Sequence, residues 1–302
     1  MSKDLNEQAV NEVKISGRLS NVTFNDGKLS DGRVWESALV DILVREDIHG
    51  VEEESTIQAK IFATPLTTTG KPHPGWKTIQ ELKEMNTIQN VGYDQAQRIN
   101  IRNGELIENS FVGRSGQVVS GYTVRTTFVN KSNMTDCARA RLMTFIMDMH
   151  DEVDREGEET GRLVVKGGVV GYGGKLNVFE FIVEGADEVE NARRTFNVND
   201  TVILTVRFRV ISKEETVIND EGGWGEKMVE TTPRTVRELL IIGSTDPIDE
   251  DFAYSAADIK KAFNERKANI EQMQIEAKNR TISKASTAAP VKDEKKHSWG
   301  WE

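Results

Sequence analysis

The fold is decided by two stretches that open similar segments of the chain: Val13-Lys14-Ile15-Ser16-Gly17-Arg18-Leu19 and Gly161-Arg162-Leu163-Val164-Val165-Lys166-Gly167. Each is a glycine-containing strand candidate that leads through a Gly/Lys turn into a second alternating stretch, Trp35 to Val44 in one copy and Leu176 to Glu184 in the other. Alternation of apolar and polar residues is typical of half-buried β-strands. The pattern predicts two similar β-modules, which favours a surface for an extended ligand over a single-site enzyme.

The composition excludes several classes of protein. The 302 residues are enough for two domains and a tail, and no apolar run approaches the roughly 18 residues of a membrane span. The N-terminus lacks the basic-then-apolar order of a signal peptide. Cys137 is the only cysteine, and the four histidines are not at ligand spacing. We therefore expect a cytoplasmic protein (in the host cell, if a phage encodes it) with no disulfide, metal or cofactor.

The net charge of −10 at pH 7 argues against an extensive phosphate-binding surface. The charge is unevenly distributed, because Ser255 to the C-terminus holds ten Lys/Arg against seven Asp/Glu. The negative charge therefore belongs to the part of the chain that precedes this segment. A local basic groove is compatible with such a total, although the total does not predict one.

A first module is predicted over residues 12–132, after a disordered start at 1–11. Its strands are expected near 12–24, 34–45, 55–63, 97–108 and 117–130. Between the third and fourth strands, Ile79, Leu82 and Met85 recur at helical spacing. The module thus has five strands, with a helix between the third and the fourth.

A linking helix is predicted over residues 133–160, because Ala138, Leu142, Phe145, Ile146 and Met149 fall on one helical face. A second module is predicted over 161–254, with strands near 161–171, 175–185, 201–218 and 234–243. A C-terminal helix at 255–282 and a disordered tail at 283–302 complete the chain.

Five strands with a helix between the third and the fourth is the order of the OB-fold, a Greek-key barrel that binds oligonucleotides. The chain resembles the tandem OB-fold single-stranded-DNA-binding proteins of bacteriophages and bacteria. The resemblance covers roughly residues 12–243 and is carried by Lys14–Leu19, by the strand–turn–strand from Ile99 to Phe128 and by the repeat from Gly161 to Glu184. It implies a mainly β chain of two OB-like barrels. The tail differs from that of the cellular proteins, which is strongly acidic, because here Lys292, Lys295 and Lys296 precede Trp299 and Trp301.

Single strands are held by bases stacked on aromatic rings and by cations along the phosphates. Residues of these two types on predicted strands and turns are the candidate DNA contacts: Arg33, Trp35, Lys60, Tyr122, Arg125, Arg193, Arg207, Arg209 and Trp224. Trp299 and Trp301 are the candidate contacts for a protein partner.

Six of these candidates also have a structural explanation. Arg207 and Arg209 share one face of a long strand, and that face either lines a groove or pairs with acids on a neighbouring strand. Tyr122 is a stacking platform or a core residue, and Trp35 is a platform or closes its barrel. Arg193 either lies at the edge of a groove or pairs with nearby acidic residues. Trp224 is either exposed on its turn or folds back onto its hairpin.

We therefore expect sequence-tolerant binding of single-stranded DNA in replication or recombination, in a bacteriophage. The alternative is a structural or assembly protein of a virion or replisome whose β-modules bind protein. No phosphate loop and no metalloprotease motif occurs, so an enzyme is not expected.

Overall fold

The computed structural model describes residues 4–5, 9–48, 50–113, 116–154, 156–219 and 228–287. The described part of the chain is mainly β, in agreement with the sequence. Its elements are β1 (Asn11–Lys28), β2 (Val34–Ile48), β3 (Val51–Ala63), α1 (Pro74–Lys83), α2 (Ile88–Val91), β4 (Arg98–Val112), β5 (Val118–Arg125), β6 (Asn130–Lys131), β7 (Cys137–Val153), β8 (Glu159–Val170), β9 (Leu176–Val183), α3 (Ala186–Thr195), β10 (Thr201–Asn219), β11 (Met228–Ser244) and α4 (Ala256–Thr287).

The first barrel is formed by β1 to β5. β1 pairs with β2, β2 with β3, β4 with β5 and β1 with β4, all antiparallel, while β3 and β5 pair in parallel through Ala59 and Val124. Helices α1 and α2 lie between β3 and β4, and Ile79 and Leu82 of α1 join the barrel core. This closed order is that of an OB-fold, as the sequence predicts.

The second barrel repeats the arrangement with β7 to β11. β7 pairs with β8, β8 with β9, β10 with β11 and β10 with β7, while β9 and β11 pair in parallel through Ile182 and Leu240. Helix α3 lies between β9 and β10. The two-barrel fold class is therefore confirmed by the strand pairings themselves.

The linking helix predicted for residues 133–160 is wrong, because Cys137–Val153 forms β7. Its inward residues, among them Ala138, Leu142 and Ile146, contribute to the barrel core, while Met143 and Phe145 on the other face are also buried. A strand that is covered on both faces shows no clean alternation. Ala, Leu, Met and Arg are good helix formers, so local propensity favoured a helix and tertiary packing overrode it.

Because residues 137–153 form a strand, the correspondence between the two repeats also changes. The sequence aligns the segment from Val13 to Val44 with the segment from Gly161 to Glu184. By strand pairing, β1 and β2 correspond to β7 and β8, whereas Gly161 to Glu184 spans β8 and β9. The two modules are real, and the sequence alignment between them was displaced by one strand.

The first strands of the two barrels pair with each other. Asn11 to Ser16 of β1 run antiparallel to Cys137 to Leu142 of β7, so that one sheet continues from barrel to barrel. Val13, Ile15, Ala138 and Ala140 at this junction are buried. One hydrophobic core consequently extends through both barrels.

Helix α4 covers part of the second barrel from outside. Ile259, Ala262 and Phe263 pack with Met143, Phe145 and other outward residues of β7 to β9. The predicted helix at 255–282 is present, and it continues to Thr287. The predicted disordered tail beyond Thr287 lies outside the described residues, and so does most of the predicted disordered start. The domain boundaries given by the sequence stay predictions.

Glu108 connects β4 of the first barrel with β9 and α4. Its carboxylate accepts hydrogen bonds from Arg266 (2.6 and 2.7 Å), from the hydroxyl of Ser110 (2.6 Å) and from the backbone N–H of Val178 (3.1 Å). Its own N–H donates to Oδ1 of Asn177. Burial alone would raise the pKa of Glu108, but the hydrogen bonds from Arg266 and Ser110 bring it below the ordinary value.

We expect Glu108→Gln to lower the free energy of unfolding by about 3 kcal/mol at pH 7, because it leaves the largely buried Arg266 without its carboxylate. The folded-state pKa is depressed, so the contribution is complete above the unfolded pKa of about 4.3 and is lost as pH falls through the lower folded value. Chemical denaturation at pH 7 and pH 3 should therefore show a difference that shrinks in acid.

Glu105→Gln is the matched control, since Glu105 pairs with Arg125 in a half-exposed position, where the expected loss is below about 1 kcal/mol. Equal losses for the two variants would contradict the role given to Glu108.

Candidate nucleic-acid interface

The outer face of β2 and β3 is the part of an OB-fold that binds oligonucleotides. In the first barrel, Ala38, Ala59 and Ile61 point into the core. Side chains alternate along a strand, so Trp35 of β2 and Lys60 and Phe62 of β3 point outward. Phe62 is 47% exposed and Lys60 is exposed, so this face is open to a ligand.

A cleft of about 600 Å³ lies on this side of the first barrel. We call it the aromatic cleft and define it by four of its lining residues, Lys60, Phe62, Arg125 and Tyr172. The other lining residues are His73, Asn103, Glu105, Ile107, Thr126 and Thr127. The cleft unites β3 and β5 of the first barrel with a turn of the second barrel, so both modules contribute to it.

Tyr172 is the aromatic residue that the sequence analysis missed. It lies in a short 3₁₀ turn between β8 and β9, where Gly173 and Gly174 adopt positive φ values of 71° and 74°, and it is 86% exposed. Its neighbours in the sequence, Gly171, Gly173 and Gly174, have no side chains against which the ring could pack. Trp224 has the same kind of neighbours in the sequence, Gly222, Gly223 and Gly225, and lies outside the described residues.

Trp35 extends the aromatic surface next to the cleft. Its ring is half-buried and lies 5.5 Å from the ring of Phe62 at an interplanar angle of 31°. The indole also covers Gly27 of β1, its cross-strand neighbour, where a Cβ atom would stand 2.8 Å from the ring. Gly27 therefore makes room for the tilted Trp35–Phe62 pair.

The cations at the cleft differ in availability. Lys60 has no carboxylate partner among the described residues, while Arg125 forms an ion pair with Glu105 across β4 and β5. Arg33, in the β1–β2 turn, is bound to Asp31 at 2.7 Å. Hydrogen bonds from the backbone and side chain of Arg33 lower the pKa of Asp31, so the carboxylate that faces Arg33 is ionised at neutral pH.

Arg207 and Arg209, which the sequence predicts as DNA contacts, form ion pairs within the fold. Arg207 is buried and binds Glu53 of β3 at 2.7 Å, which ties the second barrel to the first. Arg209 binds Glu184 and Glu238. Burial would raise the pKa of Glu238, but hydrogen bonds from Arg209 and Arg162 lower it. These charges are neutralised within the fold.

Tyr122 and Arg193 also have structural partners. The Tyr122 ring packs 5.6 Å from that of Phe208 in the second barrel, so it joins the barrels and is not an open stacking platform. Arg193 of α3 pairs with Asp151 of β7. Among the predicted contacts, Lys60 and Arg125 line the same cleft, and Trp35 contacts the cleft residue Phe62. Trp299 and Trp301, like Trp224, lie outside the described residues.

The described residues offer neither a metal cluster nor a membrane-spanning helix. They contain no group of three or more His, Cys, Asp or Glu side chains that could hold a metal ion. Within the same residues, no helix has the length and hydropathy needed to cross a membrane.

Comparisons with known proteins give a family match and distant structural similarities. The sequence profile of the family described as YorF matches residues 9–276. A comparison with curated protein sequences finds no match.

Among solved structures, the wild-type single-stranded DNA binding protein from Thermus aquaticus is 10% identical, with a TM-score of 0.49 over 83% of this chain and 99% of that chain. A deletion mutant of that protein is 12% identical, with a TM-score of 0.44 over 80% and 96%. A Replication Protein A heterotrimer bound to ssDNA is 9% identical, with a TM-score of 0.22 over 89% and 71%. The OB assignment rests on the strand pairings and not on these superpositions.

We expect Gly27→Val to displace the Trp35 ring while the barrel stays folded, because the added side chain occupies the position of the indole. Near-ultraviolet circular dichroism should lose part of its tryptophan signal, and emission should shift to longer wavelength. Gly243→Val, where a Cβ meets no atom within 4 Å, is the control. An unchanged tryptophan spectrum in Gly27→Val would contradict this placement of Trp35.

Proposed function

The chain belongs to the YorF family, and we propose that it binds single-stranded DNA in the aromatic cleft of its first barrel. The observation that carries the proposal is the meeting of two exposed rings, Phe62 and Tyr172, with two cations, Lys60 and Arg125, on the open face of an OB barrel. Rings supply stacking platforms and cations follow the phosphates, which are the two requirements for holding an unpaired strand.

Stacking is the larger contribution in this proposal. A base stacked on an aromatic side chain contributes about 1–3 kcal/mol, as measured by alanine substitution. Lys60 is the one cation of the cleft without a carboxylate partner among the described residues, and the whole chain carries a net charge of −10. Electrostatic attraction is therefore modest, and two or three stacked bases account for most of the affinity.

The proposed ligand is single-stranded and of mixed sequence. In a duplex the bases stack on one another and present only their edges in the grooves, so Phe62 and Tyr172 could not reach their faces. Every base has a π-face, and stacking on these rings does not select among bases. The cleft is accordingly a site for unpaired nucleotides without strong sequence preference.

The proposal retains the wider expectations drawn from the sequence. Binding of this kind fits a cytoplasmic role in DNA replication or recombination, and a bacteriophage origin stays a prediction. We still propose a groove to which both modules contribute, but with different residues. Tyr172 is the second-barrel residue that lines the cleft, and Arg207 and Arg209 do not line it. Recruitment of replication or recombination proteins by Trp299 and Trp301 also stays a prediction.

We expect Phe62→Ala and Tyr172→Ala each to weaken binding of fluorescein-labelled oligo-dT by about 5- to 150-fold, the equivalent of about 1–3 kcal/mol per lost stack. Both side chains are largely exposed, so the fold should be unaffected. Fluorescence anisotropy titration measures the effect, and thermal melting checks the fold.

Phe252→Ala is the matched control, because Phe252 is 67% exposed but lies outside the cleft. Wild-type protein that binds no oligo-dT, or a control that loses as much affinity as the cleft variants, would refute the proposal. The first result would favour the alternative of a protein-binding scaffold.

Salt dependence should be shallow for short oligonucleotides. Each phosphate contact to a single strand contributes about −0.7 to the slope of log K against log salt concentration. Lys60 and Arg125 provide two contacts, so an oligomer of about 4 nucleotides should show a slope near −1.4. A slope near zero would contradict any phosphate contact by these side chains, and Lys60→Gln should reduce the slope by about half.

A further inference from the structure

A second cavity, of about 340 Å³, lies where the two barrels and α4 meet. We call it the inter-barrel crevice and define it by Tyr122 of β5, Lys166 of β8, Glu180 of β9, Arg237 of β11 and Arg266 of α4. Its remaining lining is Ser120, Gly121, Val178, Phe179, Leu239 and Phe263. The crevice thus has an apolar part and a cationic part.

The hydroxyl of Tyr122 is buried and has no hydrogen-bond partner within the described residues. A buried polar group without a partner destabilises a protein, and native structures rarely tolerate one without a reason. Burial raises the pKa of Tyr122, so the hydroxyl stays protonated at neutral pH and can donate a hydrogen bond. An acceptor atom of a ligand would satisfy it.

Two cations of the crevice form no ion pair within the described residues, although Lys166 lies opposite Glu180 in the β8–β9 register. Neither Lys166 nor Arg237 forms an ion pair with a carboxylate in the part of the chain that the structure describes, whereas Arg266 is held by Glu108. Glu180 is the only acidic residue among those that line the crevice. This differs from Arg162, Arg207 and Arg209, which all bind carboxylates.

Strand β5 connects the crevice with the aromatic cleft. Arg125 lines the cleft and Gly121 lines the crevice. The two residues lie on the same face, and four residues of strand span about 13 Å. A Cβ atom at Gly121 would meet nothing within 4 Å, so the path along β5 is open at this point.

We propose that a strand bound in the aromatic cleft continues along β5, over Gly121, into the inter-barrel crevice. There Lys166 and Arg237 contact its phosphates, and the Tyr122 hydroxyl donates a hydrogen bond to a phosphate oxygen. This inference rests on the proposed function and extends it, because it assigns to the second barrel a set of contacts that differ from Arg207 and Arg209.

The test compares oligo-dT of about 4 nucleotides, which the cleft alone can hold, with oligo-dT of about 16 nucleotides. Wild-type protein should bind the longer oligomer more tightly and with a salt slope near −2.8, because Lys166 and Arg237 add two phosphate contacts. The double variant Lys166→Gln/Arg237→Gln should return this slope to about −1.4 and weaken long-oligomer binding by about tenfold, while short-oligomer binding stays unchanged. Lys278→Gln, an exposed cation on α4 away from the crevice, is the charge control.

Two uncharged variants probe the path and the hydroxyl. Gly121→Leu fills the open space over β5 and should selectively weaken the long oligomer, whereas Gly243→Leu, equally unobstructed, should not. Tyr122→Phe keeps the packing on Phe208, so it should leave the fold intact and also weaken only the long oligomer.

The outcomes separate the two proposals. If wild-type protein binds neither oligomer, the proposed function fails, and this inference fails with it. If both oligomers bind but the double variant and Gly121→Leu match wild type for the long one, the function stands and the crevice is not on the path.

Discussion

The antiparallel pairing of β1 with β7 is the constraint on which the rest of the structure depends. Each is the first strand of its barrel, and their contact along Asn11–Ser16 and Cys137–Leu142 fixes the two barrels in one sheet with one core. With the barrels in this relation, Glu108 of the first barrel reaches β9 and α4, and Tyr122 reaches Phe208. The aromatic cleft and the inter-barrel crevice both exist because residues of the two barrels are held side by side.

The same topology produces two different surfaces. The outer face of β2 and β3 carries the exposed Phe62 and Lys60, whereas α4 covers part of the corresponding face of β8 and β9. Charge is divided in a similar way. Arg207 joins the two barrels and Arg266 joins α4 to the first barrel through carboxylates, while Arg209 pairs with Glu238 inside the second barrel, so these three arginines are not available to a phosphate. The binding of single-stranded DNA proposed above therefore relies mainly on the exposed rings of the aromatic cleft.

The sequence predicted those parts of the fold that local patterns determine. Alternation located β2, β3 and β10, and the spacing of Ile79, Leu82 and Met85 located α1. It failed at β7, because Met143 and Phe145 are covered by α4, a long-range contact that removes the alternation. The partners of Arg207 and Arg209 come from residues distant in sequence, such as Glu53, so no local pattern could reveal that they are neutralised. Tyr172 was detectable from its glycine neighbours. No local pattern indicates that Lys166 and Arg237, which are distant in sequence, line the same crevice.

The shared strand edge also determines how the protein can be dissected. A fragment containing either barrel alone would leave the backbone N–H and C=O groups of β1 or β7 without partners along six residues on one side. Bare edges of this kind template pairing with other chains and promote aggregation. The two barrels are therefore separate in topology, but we do not expect either one to stay soluble alone. The contribution of each barrel to binding is better measured by single substitutions in the full chain than by cutting the chain into fragments.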